Sequence, residues 1–212
     1  MRNFLLLSMA FLALAGCKKK PEGPDEFTKA YLAAGDLGAE DPELGADSLY
    51  SLYKNNPKYP DEERLRECLF LSANWVYGKI SQVSEKDTAE QTRLMRKAAA
   101  RYQEFVEKYP TSPKAGQAYK DLAYCLFILK DYRGCINVCN TWINDPLASA
   151  SPYLPYAYKY AGRAYTYLNK KDSAIIYLKE AYKLFDAQAF LGEAKAMEED
   201  LNKLGVKKPY YK

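Results

Sequence analysis

Four cysteines in the body of this 212-residue chain, Cys68, Cys125, Cys135 and Cys139, are the side chains best suited by type to act as nucleophiles or metal ligands. The chain has no histidine, so the commonest general base, the usual activator of a nucleophile and the commonest metal ligand are all missing. No Cys-x-x-Cys occurs. Cys135 and Cys139 stand one helical turn apart, which keeps Cβ atoms about 5–6 Å from each other. A disulfide wants about 3.5–4.5 Å. Structural thiols are therefore expected. The chemical alternative is a thiol-dependent enzyme using Cys125, Cys135 or Cys139, and pairing of Cys125 with another helix stays open. The acidic runs Asp61-Glu62-Glu63 and Glu198-Glu199-Asp200 are candidates for carboxylate chemistry. The first precedes a helix and suits its N-terminal dipole. The second reads as a solvated face. Gly-rich phosphate loops, Gly-x-Ser-x-Gly and His-Glu-x-x-His are all absent. The expectation is a protein that is not an enzyme, with no metal and no cofactor.

The elements that carry these side chains are helices. From Glu26 onward apolar residues recur every three or four positions, and alternating strand-like runs are missing. Pro and Gly fall mostly between these segments. Three stretches align on one another. Their first helices place Cys68, Leu71, Ser72 and Trp75; Tyr119, Leu122, Ala123 and Leu126; and Tyr158, Ala161, Gly162 and Tyr165 on the inward face. Their second helices place Ala98, Tyr102 and Phe105; Cys135, Cys139 and Trp142; and Ala174, Leu178 and Ala181 inward. Ala123 and Cys135 have the same separation as Gly162 and Ala174, which chance amphipathic helices need not keep. An insertion around Ser81–Thr88 lengthens the first unit. Asp47–Asn56 is expected to be the second helix of a partial N-terminal unit, and Ala187–Leu204 a terminal capping helix that Gly205 stops. Such arrays need caps because each unit buries its face only against its neighbours.

This pattern resembles the tetratricopeptide repeat. The resemblance implies an all-α fold of helical hairpins stacked into a superhelix, with about three repeats, a partial N-terminal unit and a C-terminal cap. It also implies a groove lined by the first helices. Carried over by alignment, the groove positions are Gln117, Lys120, Tyr124 and Phe127 in one unit, and Tyr156, Lys159, Arg163 and Thr166 in the next. Lys120 and Lys159 are equivalent, and two stacked cations beside tyrosines suit a carboxylate or an acidic peptide. The plain alternative is a solvated face with snorkelling lysines. The Leu147–Pro155 stretch interrupts the array, as a linker or a docking element.

The N-terminus carries an address. Arg2 precedes an apolar run from Phe4 to Ala15, shorter than the roughly 20 residues that span a bilayer. Leu14-Ala15-Gly16-Cys17 then resembles the lipobox of bacterial lipoproteins. The resemblance implies a signal peptide over residues 1–16 and a lipid on Cys17. Residues 17–25 would form a tether, 26–205 the helical domain and 206–212 a tail. With Arg2 and Lys18, Lys19 and Lys20 set aside, the 31 Lys and Arg fall to the number of Asp and Glu, 27. The basic residues thus lie beside the lipid, where anionic head groups favour them, and the domain offers no excess charge to nucleic acid.

A lipobox followed by such repeats is similar to the BamD-type lipoproteins of outer-membrane assembly. The run Tyr102 to Ser112, leading to Ala115 and Ala118, and Asp131-Tyr132 before Cys135 carry the likeness. It implies a non-enzymatic scaffold in the cell envelope. The scaffold would sit on the periplasmic face of the outer membrane, since Lys18 stands where a retention aspartate would. Envelope proteins, among them a β-barrel assembly protein, would be its partners. The alternative is an adapter for peptidoglycan, secretion or polysaccharide handling.

Overall fold

The computed structural model describes residues 25–208. The expected signal segment, Cys17, nearly all of the tether and the last four residues of the tail lie outside them. Among the described residues there are nine α-helices and no strand. They are α1 (Glu26–Glu40), α2 (Pro42–Asn55), α3 (Glu62–Ile80), α4 (Thr88–Lys108), α5 (Ala115–Ile128), α6 (Tyr132–Asn144), α7 (Leu154–Tyr167), α8 (Lys171–Ala187) and α9 (Leu191–Lys203). Each packs mainly on its neighbours in sequence, and α5 also meets α7. The fold is thus an all-α array of consecutive hairpins, α1/α2, α3/α4, α5/α6 and α7/α8, closed by α9. None of these helices is long and apolar enough to cross a membrane.

Aspartates start most of the helices. Asp25, Asp41, Asp61, Asp87 and Asp131 each accept a backbone N–H from the first turn that follows. This satisfies donors the helix cannot, and each cap contributes about 1 kcal/mol. Asp61 is the first of the acidic triplet, and Glu62 and Glu63 fill the first turn of α3 as expected. Helices also end alike. Lys130, Asn169 and Ala189 have positive φ, and the residue after each donates its N–H to the carbonyl of Leu126, Tyr165 and Phe185 respectively. Lys130 and Asn169 are repeat-equivalent, so the turn is copied along with the helices.

Every inward position assigned to a second helix is fully buried, from Ala98 to Ala181. Ala123 and Gly162 are buried where two helices approach closely. A Cβ on Gly162 would lie 2.8 Å from Leu178 Cγ. The long α3 departs from its expected register. Leu69, Phe70, Ala73 and Val76 are buried there, while Leu71 and Trp75 are only half-buried. The reason is that α2 and α4 cover α3 from two sides, so its apolar stripe is wide.

The N-terminal unit is a complete hairpin rather than a partial one. Its second helix begins at Pro42, ahead of the expected Asp47, and a single residue, Asp41, separates it from α1. The two helices cross at glycine, where a Cβ on Gly45 would fall 2.4 Å from the Gly38 Cα. Charge ties this hairpin to α4. Glu43 meets Arg93 and Lys97, Asp47 meets Lys97 and Arg101, and Glu104 meets Tyr50, Tyr53 and Lys54. Hydrogen bonds from Arg93 hold the Glu43 carboxyl down to a pKa of about 2. A depressed carboxyl contributes stability above its ordinary pKa and loses it as the pH falls through the folded value. Urea midpoints are therefore expected to fall as the pH drops from about 4.5 toward 2. A Glu43→Gln variant should start lower at neutral pH and show a shallower decline. Parallel curves for the two proteins would refute the linkage.

The terminal helix begins at Leu191; Ala187 still belongs to α8. Its seam is separate from the main core and contains Leu178, Ala181, Phe185, Ala194, Met197 and Leu201. Full burial of each large apolar side chain there stabilises by about 1.5–3 kcal/mol.

Candidate functional site

Of the eight expected groove residues on α5 and α7, Thr166 is exposed, Lys159 is buried and the other six are half-buried, and the structure brings several of them together through aromatic rings. Tyr124 stands edge-on to Tyr77 at 6.0 Å and to Tyr160 at 5.9 Å. Phe127 lies 6.1 Å from Tyr160 and 5.6 Å from Tyr167. Tyr167 stacks on Tyr132 at 4.8 Å. Tyr156 stacks on Tyr160 at 6.2 Å and meets the edge of Phe185 at 5.0 Å. Rings from three hairpins thus form one continuous cluster, in which Tyr160 is buried, Tyr77, Tyr124, Phe127, Tyr132 and Tyr156 are half-buried and Tyr167 is exposed. Tyr77, Tyr160 and Tyr167 escaped the sequence assignment. The helix period carried a signal for two of them, since Tyr156, Tyr160, Arg163 and Tyr167 follow one another at steps of four, three and four.

Lys120 and Lys159 converge on the Tyr156 ring, at 5.8 and 5.3 Å from its centre. Each already has an acid from its own chain. Lys120 lies 3.3 Å from Asp121 and over Tyr153. Asp121 is buried, which raises its carboxyl pKa above the ordinary value despite the lysine beside it. Gln117, half-buried one turn earlier on α5, offsets part of that rise. Lys159 is buried and donates to Glu193 of α9 at 2.7 Å. Arg163 donates to Asp200 of the same helix, also at 2.7 Å. The acidic run on α9 is therefore not merely solvated, since Glu198 also pairs with Lys208. The cap occupies the cations of the last unit.

What remains open is a cleft of about 290 Å³ at the edge of the cap, lined by Phe127, Arg163, Thr166, Tyr167, Asp200 and Lys203. Three of these are expected groove residues. Thr166 donates its hydroxyl to the Gly162 carbonyl at 3.1 Å. Apolar ring edges beside Arg163 and Lys203, both of which face Asp200, can hold an aromatic or aliphatic side chain.

The thiols sit elsewhere. All four cysteines are free and fully buried. Cys135 donates to the Ala123 carbonyl at 3.4 Å, at the close approach of α5 and α6. Burial pushes the Cys68 thiol up to about 12, and raises those of Cys125 and Cys139 as well. A nucleophilic cysteine needs the opposite shift. Titration with a thiol reagent is expected to count no reactive group in the native body of the protein and four after unfolding. Fast native labelling of any one would overturn the structural assignment. Among the described residues no group of three or more His, Cys, Asp or Glu is placed to hold a metal.

The Leu147–Pro155 stretch is packed rather than loose. A 3-10 turn at Ala148–Ala150 buries Ala148, whose carbonyl accepts the Trp142 indole N–H at 2.9 Å. Ser151 lies against Gly116 of α5. Comparison of the sequence with protein-family models and with curated proteins finds no match.

Proposed function

We propose that this protein is a non-enzymatic adapter, anchored through Cys17 to the periplasmic face of the outer membrane, that docks a partner on its aromatic surface. The observation that carries the reading is the run of ring contacts from Tyr77 through Tyr124 and the buried Tyr160 to the half-buried Phe127 and the exposed Tyr167, where it ends in an open cleft. Aromatic side chains at such an edge supply rigid contact area at low entropic cost, and they are enriched where partners bind. Tyr167 is largely exposed, at 62%. Burial of the thiols supports an adapter over a thiol enzyme. In its most concrete form the protein is a BamD-like scaffold in outer-membrane protein assembly.

Crosslinked capture of the lipidated protein from its own membranes, with identification of partners by mass spectrometry, tests this. Recovery of a β-barrel assembly protein, lost when Phe127 and Tyr167 are changed to serine, supports both the process and the surface. Recovery of peptidoglycan, secretion or polysaccharide proteins with the same loss moves the adapter to another envelope process. Partners indifferent to the two substitutions overturn the docking surface.

A further inference from the structure

The first hairpin leaves an apolar surface bare. Leu32 and Leu37 of α1 and Leu44 of α2 are 56%, 42% and 57% exposed. Ala30, Ala33, Gly35 and Ala39 of α1 are exposed as well. The inward side of this helix is already filled. Phe27 and Ala34 are buried, Phe27 stacks on Tyr59 at 3.8 Å, and Gly38 lies against the Trp75 ring. The three leucines therefore add little to packing within the hairpin.

The array explains why this surface is uncovered. Each later first helix packs on the helix before it, α3 on α2, α5 on α4 and α7 on α6, and the cap α9 packs on α8. Among the described residues no helix precedes α1. Repeat arrays give their terminal helices a polar outer face. At the far end α9 follows that rule, since beyond its first turn it exposes Lys195, Glu199, Asn202 and Lys203. The exposed side of α1 mixes Lys29, Asp36 and Glu40 with its leucines and alanines.

The length of chain before α1 selects the occupant, given the lipid proposed for Cys17, on which this step rests. Cys17 lies eight residues before Asp25, the N-cap of α1, a reach of at most about 28 Å. A helix the length of α1 spans about 22 Å. A bilayer that holds Cys17 is therefore within reach of the whole first hairpin. The intervening Lys18-Lys19-Lys20-Pro21-Glu22-Gly23-Pro24 has no leucine, isoleucine, valine or aromatic residue to lay over the surface. Its lysines favour anionic head groups instead. We propose that α1 and the start of α2 rest on the bilayer that anchors Cys17, with Leu32, Leu37 and Leu44 in the lipid interface. Asp36 and Glu40 limit the depth. They hold the helix at the head-group boundary, where interfacial helices bury an apolar face by about 5–10 Å. The array then stands on its first hairpin, with the α7 and α9 cleft at the end away from the lipid.

Fluorescence quenching on the full lipidated protein tests the contact. The four native thiols of the body are buried, so a label attaches to a new cysteine at an exposed site. Leu37→Cys tests the hairpin, and Ile176→Cys, 66% exposed on α8, is the control. The vesicles are phosphatidylcholine brominated near the head-group end of its chains. Mass spectrometry first establishes the lipid on Cys17. The label at residue 37 is expected to lose about half its emission, as an interfacial residue would, and the label at residue 176 to keep it. A label on Ala33→Cys should be quenched likewise. It should escape when Leu32, Leu37 and Leu44 are all serine, while the protein stays on the vesicles and its helical circular dichroism is unchanged. Absence of the lipid overturns the anchor and the contact together. Lipid on Cys17 with residue 37 unquenched overturns the contact alone. Equal quenching at residues 37 and 176 overturns the orientation. Emission at residue 37 that follows the number of protein molecules per vesicle and ignores bromine puts a second copy on the hairpin in place of lipid.

Discussion

Reversing Lys159 to glutamate is expected to cost about 3–5 kcal/mol, the range for breaking a buried ion pair, and to release α9 before the rest of the array. The side chain of Lys159 is only 10% exposed and that of Glu193 29%, so water screens the pair poorly. Two carboxylates would then meet where an ammonium and a carboxylate now lie 2.7 Å apart. The lysine also lies 5.3 Å from the Tyr156 ring centre and 5.4 Å from that of Tyr160, contacts that an anion turns unfavourable. The double reversal, Lys159→Glu with Glu193→Lys, is expected to recover part of the loss. It restores the pair but not the ring contacts. Urea unfolding of the four proteins gives the coupling energy directly. Amide exchange over residues 191–203 should rise in Lys159→Glu while α3 and α4 stay protected. A single reversal that leaves the midpoint unchanged would show that the apolar seam of α9 holds without its ion pairs. The same argument makes charge reversal at residue 159 a poor probe of partner binding, whereas Phe127 and Tyr167 lie outside that pair.

Most of the helical array was legible because its packing is local. A small residue at one place in each hairpin, as at Ala123 and Gly162, lets the second helix come close, and the bulky residues one turn away fill the space. All nine expected second-helix positions are buried for that reason. Three features were not legible, and each depends on contacts far apart in sequence. The first hairpin crosses at Gly38 and Gly45, a pairing no helical period announces. The register of α3 shifts because α2 covers it as well as α4. The pairing of Lys159 with Glu193 spans 34 residues, so the cations of α7 looked free when read within their own unit. For the groove, the aromatic positions Tyr124, Phe127 and Tyr156 lie half-buried in one cluster of rings. The charged positions turned inward to partners within the chain.

Trp142→Ala is expected to lower stability by about 3–5 kcal/mol, the range for emptying a buried tryptophan site. Trp142 is the largest fully buried side chain, and its ring stacks on Tyr119 with centroids 5.6 Å apart. Its indole N–H also holds the connection to the next hairpin by the Ala148 carbonyl. Asp145 folds that connection back from the other side, accepting from the N–H groups of Leu147 and Ala148. Truncation therefore removes packing inside one unit and the anchor that sets where α7 begins. The two contributions separate in Trp142→Phe. Phenylalanine keeps most of the volume and the stack but loses the indole hydrogen bond, a net cost of about 0.5–1.5 kcal/mol, since the Ala148 carbonyl still accepts the Ser151 N–H. Chemical denaturation should thus rank wild type, Phe and Ala in that order. If Phe costs as much as Ala, the hydrogen bond to the connection dominates, and the step from α6 to α7 is held by the Ala148 anchor more than by the ring in the core. If Ala costs less than about 1 kcal/mol, the site collapses freely, and the unit boundary owes its position to Ser151 against Gly116 instead.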